Sequence, residues 1–133
     1  MLGASLALAI GIRAYFLPQR GLAGDDDGFL RWVRFIGNAG LGRAYDQPIS
    51  FPPVLPWIWW ILDTVAPGVR SLVAQDPQAL TLLKLPATLA DFGLAAIVGW
   101  SLRARPRWAI AGVGAILLVP AVWYVSAWWG QFE

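Results

Sequence analysis

Apolar and polar positions follow three different patterns along this chain. Leu2 to Pro18 is an apolar run broken only by Arg13 near its outer end, which predicts a spanning helix whose arginine snorkels to the interface. A cleaved signal peptide is the competing reading, weakened by the lack of a basic start and by Arg13 inside the run. From Asp27 to Leu41, Phe29, Trp32, Val33 and Ile36 recur at i, i+3, i+4 and i+7, with Arg31, Arg34 and Asn38 on another face. This predicts an amphipathic helix, too short to cross a bilayer and suited to lie in its interface. Gly40-Leu41-Gly42 ends it, and the proline-rich stretch Pro48 to Pro56 is extended or turning. Val54 to Ala66, with Trp57, Trp59 and Trp60, is apolar but short, so it predicts a second helix lying on or dipping into the same leaflet.

Ala79 to Leu102 is long enough to span. Thr81, Lys84, Thr88 and Asp91 form one polar stripe along it, which should face protein or a wet cavity rather than lipid. Lys84 and Asp91 stand two turns apart, roughly 10 Å, so each needs a partner elsewhere. Pro86 is a site for a kink. Trp108 to Val125 is a further apolar run, kinked or ended near Pro120. The short loop between these two segments carries Arg103, Arg105 and Arg107, which the positive-inside rule places in the cytoplasm. The residues between Pro18 and Ala79, and those after Val125, then share the outer side.

Composition sharpens the class. Hydrophobic residues make up 58% of the chain and charged residues only 14%, against about 25% in soluble domains. Nine tryptophans suit a chain that meets the membrane–water boundary repeatedly. The net charge of +2 is scattered, which argues against nucleic acid as a partner. With no Cys and no His, disulfides, thiolate or imidazole metal sites, Cys nucleophiles and His-based triads are excluded. Acid–base work falls to Asp, Glu, Lys or Tyr. Metal binding is left undetermined; a hard divalent cation on carboxylate oxygens is the kind this chain can hold.

The sequence therefore predicts an all-α integral membrane domain, multi-pass, occupying residues 1–133 as the front part of a larger bundle. Its expected parts are spans over about 2–18, 79–102 and 108–125, an outer loop over about 19–78 holding two juxtamembrane helices, a cytoplasmic loop at 103–107 and an outer end at 126–133.

The chemistry concentrates at Asp25, Asp26 and Asp27, three of the chain's eight acidic residues, in a stretch read as an acidic loop. Asp26 and Asp27 are well placed to cap the amphipathic helix beyond them. Asp25 with Phe29 and Trp32, then Gly42, Tyr45 and Phe51-Pro52-Pro53, resembles the first outer loop of the GT-C glycosyltransferases, multi-span enzymes that use polyprenyl- or dolichyl-phosphate sugars. Lys84, Pro86 and Asp91 are similar to a Lys-x-Pro…Asp segment of many bacterial members. Pro120-Ala121-Val122, Ser126 and Trp129-Gly130-Gln131 are similar to the family's Pro-Ala-Val…Ser…Trp-Gly-Gln-x-Asp. Phe51 stands where the family carries Tyr or His, and Glu133 where it usually carries Asp.

The resemblance implies a hexosyltransferase, mannosyltransferase-like, in the bacterial inner membrane. Its substrates would be a polyprenyl-phosphate sugar donor and a glycan, lipid or protein acceptor, and its outcome inverting. It assigns Asp25 as catalytic base, with Lys84, Gln131 and Glu133 as substrate-binding candidates and Asp26, Asp27 and Asp91 as secondary ones. Each has a plainer alternative. Asp25 is otherwise a solvated acid, Lys84 a snorkelling lysine, Asp91 an interhelical polar contact, and Trp128 and Trp129 an interfacial anchor. The alternative function is a non-enzymatic membrane anchor or assembly subunit whose acidic loop binds a partner or a cation.

Overall fold

The computed structural model describes residues 2–49, 51–73 and 76–130, and every regular element among them is helical. In chain order they are α1 (Leu2–Phe16), α2 (Ala23–Ala39), a 3₁₀ segment (Leu41–Asp46), α3 (Val54–Val65), a second 3₁₀ segment (Pro67–Ser71), α4 (Pro77–Ser101), α5 (Pro106–Leu118) and α6 (Pro120–Trp123). A π-helical turn, Tyr124–Trp129, continues directly from α6.

Two apolar clusters organise these elements. The larger joins α2 and α3 to the start of α4 through Phe29, Leu30, Val33, Ile36, Trp59 and Leu83. Phe29, Val33 and Ile36 lie on this core as their spacing predicts, with Trp32 packed against it and Arg31 and Asn38 exposed. Phe51 joins them, its ring centroid 6.0 Å from Phe29, 5.7 Å from Trp32 and 6.2 Å from Trp59. The Tyr45 hydroxyl donates to the Phe51 carbonyl at 3.0 Å. The aromatic residues that carry the family resemblance are thus the packing that sets α3 against α2. Gly37 lets the helices approach closely: a Cβ there would lie 2.7 Å from the buried Asp63 carboxylate. The smaller cluster, Ala9, Ala95, Val113 and Leu117, joins α1, α4 and α5.

Asp76 caps α4 by accepting from the Gln78 N–H at 2.8 Å, and Pro77 begins the helix where its missing N–H costs nothing. The helix continues through Pro86. Among the described residues α4 is the one helix long and apolar enough to cross a membrane. α5 reaches that length only together with the segment after Pro120, and the two are bent by 43°. α1 and α3 are shorter apolar helices.

Two local expectations are corrected. The acidic stretch is the first turn of α2, which begins at Ala23 and not at Asp27. No side chain caps that helix, so Asp26 and Asp27 do not serve as caps. Asp25 and Asp26 sit inside the first turn, where the helix dipole favours negative charge, and the helix extends back over them.

Candidate active site at the start of α2

Four segments meet near Asp25: the α1–α2 connection, the first turn of α2, the N-terminal part of α4 around Lys84 and the π turn. The three aspartates point to three separate partners. The Asp25 carboxylate accepts from the Trp129 indole Nε1–H at 2.6 Å through Oδ2. Asp26, only 1% exposed, accepts from the Gly21 backbone N–H at 2.9 Å. Asp27, exposed, pairs with Arg20 at 3.0 Å. Burial pushes the Asp26 carboxyl above the ordinary aspartate value, opposed by the Lys84 and Arg20 charges and by the Gly21 hydrogen bond.

Lys84 does not snorkel. It is 1% exposed, and its Nζ donates to the Gln19 carbonyl at 2.5 Å. The reason is local: α4 brings the ammonium beneath the α1–α2 connection, where a backbone carbonyl accepts from it and the Asp26 charge acts on it. Gly130 closes over its stem. That residue has φ +77, and a Cβ on it would lie 2.8 Å from Lys84 Cγ. Gly21 is equally tight, since a Cβ there would sit 2.6 Å from the Trp128 carbonyl oxygen. These two glycines let the connection, the π turn and the lysine pack in one layer.

Arg13 is a second correction. Instead of reaching for the interface it is 2% exposed, pairs with Asp91 at 2.9 Å and donates to the Leu117 carbonyl at 2.8 Å. The break at Val119 and Pro120 ends α5, leaving its last carbonyls without intrahelical partners, and the dipole there attracts a cation. The ring of Phe92 lies 5.0 Å from the guanidinium. Asp91 also accepts from the Ser126 hydroxyl at 2.5 Å, so α1, α4, α5 and the π turn share one buried polar centre. The stripe on α4 faces protein at Lys84, Thr88 and Asp91.

Gln131 and Glu133 lie outside the described residues. The structure brings Asp25, Asp26 and Lys84 together at one end of α4, while Asp91 belongs to the Arg13 centre further along that helix. Sequence reasoning did not select Arg13, Gln19 or Gly21 as parts of this arrangement. Only the glycine gives a local signal, as a residue without a side chain beside the α2 start. Among the described residues no group of three or more acidic side chains is placed to hold a metal ion. Comparison with protein-family models, with curated proteins and with solved structures gives no match for the chain.

Proposed function

We propose that this chain is the N-terminal module of a multi-pass glycosyltransferase of the GT-C type, with Asp25 as the general base of sugar transfer from a polyprenyl-phosphate donor. The observation that carries this reading is the state of the Asp25 carboxylate. Oδ2 is fixed by the Trp129 N–H, and no second hydrogen-bond partner engages the Asp25 side chain among the described residues. An oriented carboxylate with a free oxygen is what proton removal from an acceptor hydroxyl needs. Asp26 is buried and Asp27 is occupied by Arg20, so Asp25 is the member of the run best placed to meet a substrate.

In this reading the acceptor hydroxyl gives its proton to Asp25 Oδ1 as its oxygen attacks the anomeric carbon, and the bond from that carbon to the phosphate oxygen breaks. The phosphate leaves with the electron pair. Lys84 contributes a fixed positive charge behind the acidic turn, which favours the departing anion. The divergence of the three aspartates supports this over a cation-binding acidic loop, which would need carboxylates converging on one point.

The membrane arrangement belongs to the same proposal. α1, α4 and the α5–α6 pair are its three spans, and α2 and α3 lie along the outer face of a bacterial inner membrane. The exposed Trp57, Trp60, Ile61 and Val65 of α3 give that helix an apolar outer face suited to the interface. The test is transfer of labelled sugar from a polyprenyl-phosphate donor by membranes containing the protein, compared with the Asp25→Asn variant. Full transfer by that variant would overturn the reading.

A further inference from the structure

The contact between Trp129 and Asp25 joins residues 104 positions apart, and its geometry depends on an irregular piece of helix. After Pro120 the chain resumes as α6 and then widens into the π turn, closed by the Gly130 N–H donating to the Val125 carbonyl at 2.8 Å. A π turn holds one more residue than an α turn, which rotates the chain at its end by roughly 100°. Trp129 is the last residue of that turn. Without the extra residue its ring would be turned by that angle from the direction in which it meets Asp25.

The turn is held on both sides. Ser126, inside it, donates to Asp91, which Arg13 holds from α1. Trp128 stacks on Tyr124 with ring centroids 4.7 Å apart. The Trp128 and Trp129 carbonyls lie against Gly21 so closely that no side chain fits there. Gly130, in a left-handed conformation, then turns the chain over Lys84. A backbone held this closely at Trp128 and Trp129 limits the directions from which the Trp129 indole N–H can reach α2, and a carboxylate that accepts it is constrained in rotation as well.

We infer that Trp129 is the positioning residue for the Asp25 carboxylate: its indole N–H occupies Oδ2 and leaves Oδ1 oriented to take the acceptor proton. This inference rests on the reading of Asp25 as base. The cost of losing such a constraint falls on the chemical step, since a misaligned base binds substrates as before and removes the proton less often.

The experiment separates the contact from the role. In full-length protein carrying nitrogen-15 tryptophan, the Trp129 indole N–H resonance is identified by its disappearance in Trp129→Phe. It should move upfield in Asp25→Ala, which removes the acceptor. An unmoved resonance overturns the contact. For the role, Trp129 is replaced by benzothienylalanine, an analogue that keeps the ring shape and lacks the N–H. Turnover should fall roughly 10- to 100-fold, with the donor and acceptor KM within about 2-fold of wild type. Unchanged turnover in this variant, with Asp25→Asn inactive, overturns the inference and leaves the base assignment standing. Unchanged turnover in both variants overturns the base assignment and the positioning role with it. A rise in KM at constant kcat also overturns it, because Trp129 would then contribute to binding.

Discussion

Arg13 and Asp91, 78 residues apart, form an ion pair at 2.9 Å in which the arginine is 2% exposed and the aspartate 15%. The two partners are not equivalent. Without Arg13 the partly exposed Asp91 carboxylate still accepts from the Ser126 hydroxyl, whereas without Asp91 the guanidinium charge stays buried against backbone carbonyls and the Phe92 ring. Asp91→Leu should therefore destabilise the protein more than Arg13→Met, with the larger loss about 3–5 kcal/mol. The double variant should recover most of that loss, since it leaves no buried charge. Unfolding of all four proteins in mild detergent gives the cycle. Equal costs for the two single variants, or additive costs in the double, would show that the pair is not the source of the stability.

Asp26 makes stability depend on pH. Its carboxyl is held above its ordinary value of 3.8, chiefly by burial, so the folded state keeps the proton more tightly than the unfolded chain does. Between the two values the folded state binds more protons, and stability falls as pH rises until the folded carboxyl is itself ionised. Above that point no further loss comes from this group. The charges acting on it are Lys84, Arg20 and Asp27. Asp26→Asn removes the ionisation and keeps an oxygen for the Gly21 N–H. Thermal midpoints of wild type and Asp26→Asn, compared from about pH 4 to about pH 7, should diverge in favour of the variant as pH rises. A constant difference over that range would contradict the burial of a titrating carboxyl at this position.

How much of the structure is legible in the sequence depends on whether the signal is local. The core face of α2 is legible because Phe29, Val33 and Ile36 repeat with the helix period, and all three are buried. The start of that helix is not. Gly24 and three aspartates have loop composition, and only their place beside the helix N-terminus explains why they are helical. The polar stripe on α4 is legible as inward-facing, yet nothing in it names Arg13 or Ser126 as the partners of Asp91. Both contacts join segments distant in sequence. The π turn leaves no trace in the pattern at all, because its widening depends on what Ser126 and Trp129 reach.

Topology can be tested on the same chain, which contains no cysteine. The exposed residues Arg103, Arg105 and Arg107 lie at the junction of α4 and α5, at the far end of α4 from Lys84. The positive-inside rule puts that junction in the cytoplasm and the start of α2 outside. In intact cells an impermeant thiol reagent should label Gly24→Cys and spare Ala104→Cys, with both labelled after permeabilisation. The reverse pattern would invert the proposed orientation. Labelling of both in intact cells would remove the spanning role of α4.

The run of three aspartates offers the sharpest test of the proposed chemistry, because each carboxylate has a different partner. Asp25→Asn keeps an acceptor for the Trp129 N–H and loses the basic oxygen, so it should lower sugar transfer by at least about 100-fold while expression and donor binding persist. Asp27→Asn breaks only an exposed pair with Arg20 and should cost little, as exposed ion pairs contribute little. Asp26→Asn retains a hydrogen-bond acceptor for the Gly21 N–H and should leave transfer near wild type. The measurement is transfer of labelled sugar from a polyprenyl-phosphate donor by each single variant in membranes, with protein amount and donor binding recorded beside it. Loss at Asp27 with normal turnover at Asp25 would move the base two positions along α2, to a side chain that Trp129 does not touch. Loss at Asp26 alone would instead point to the buried carboxylate beside Lys84 as the group on which transfer depends. Normal transfer by all three would take proton removal out of this turn altogether, and the Trp129–Asp25 bond would then be a structural tie between the two ends of the chain.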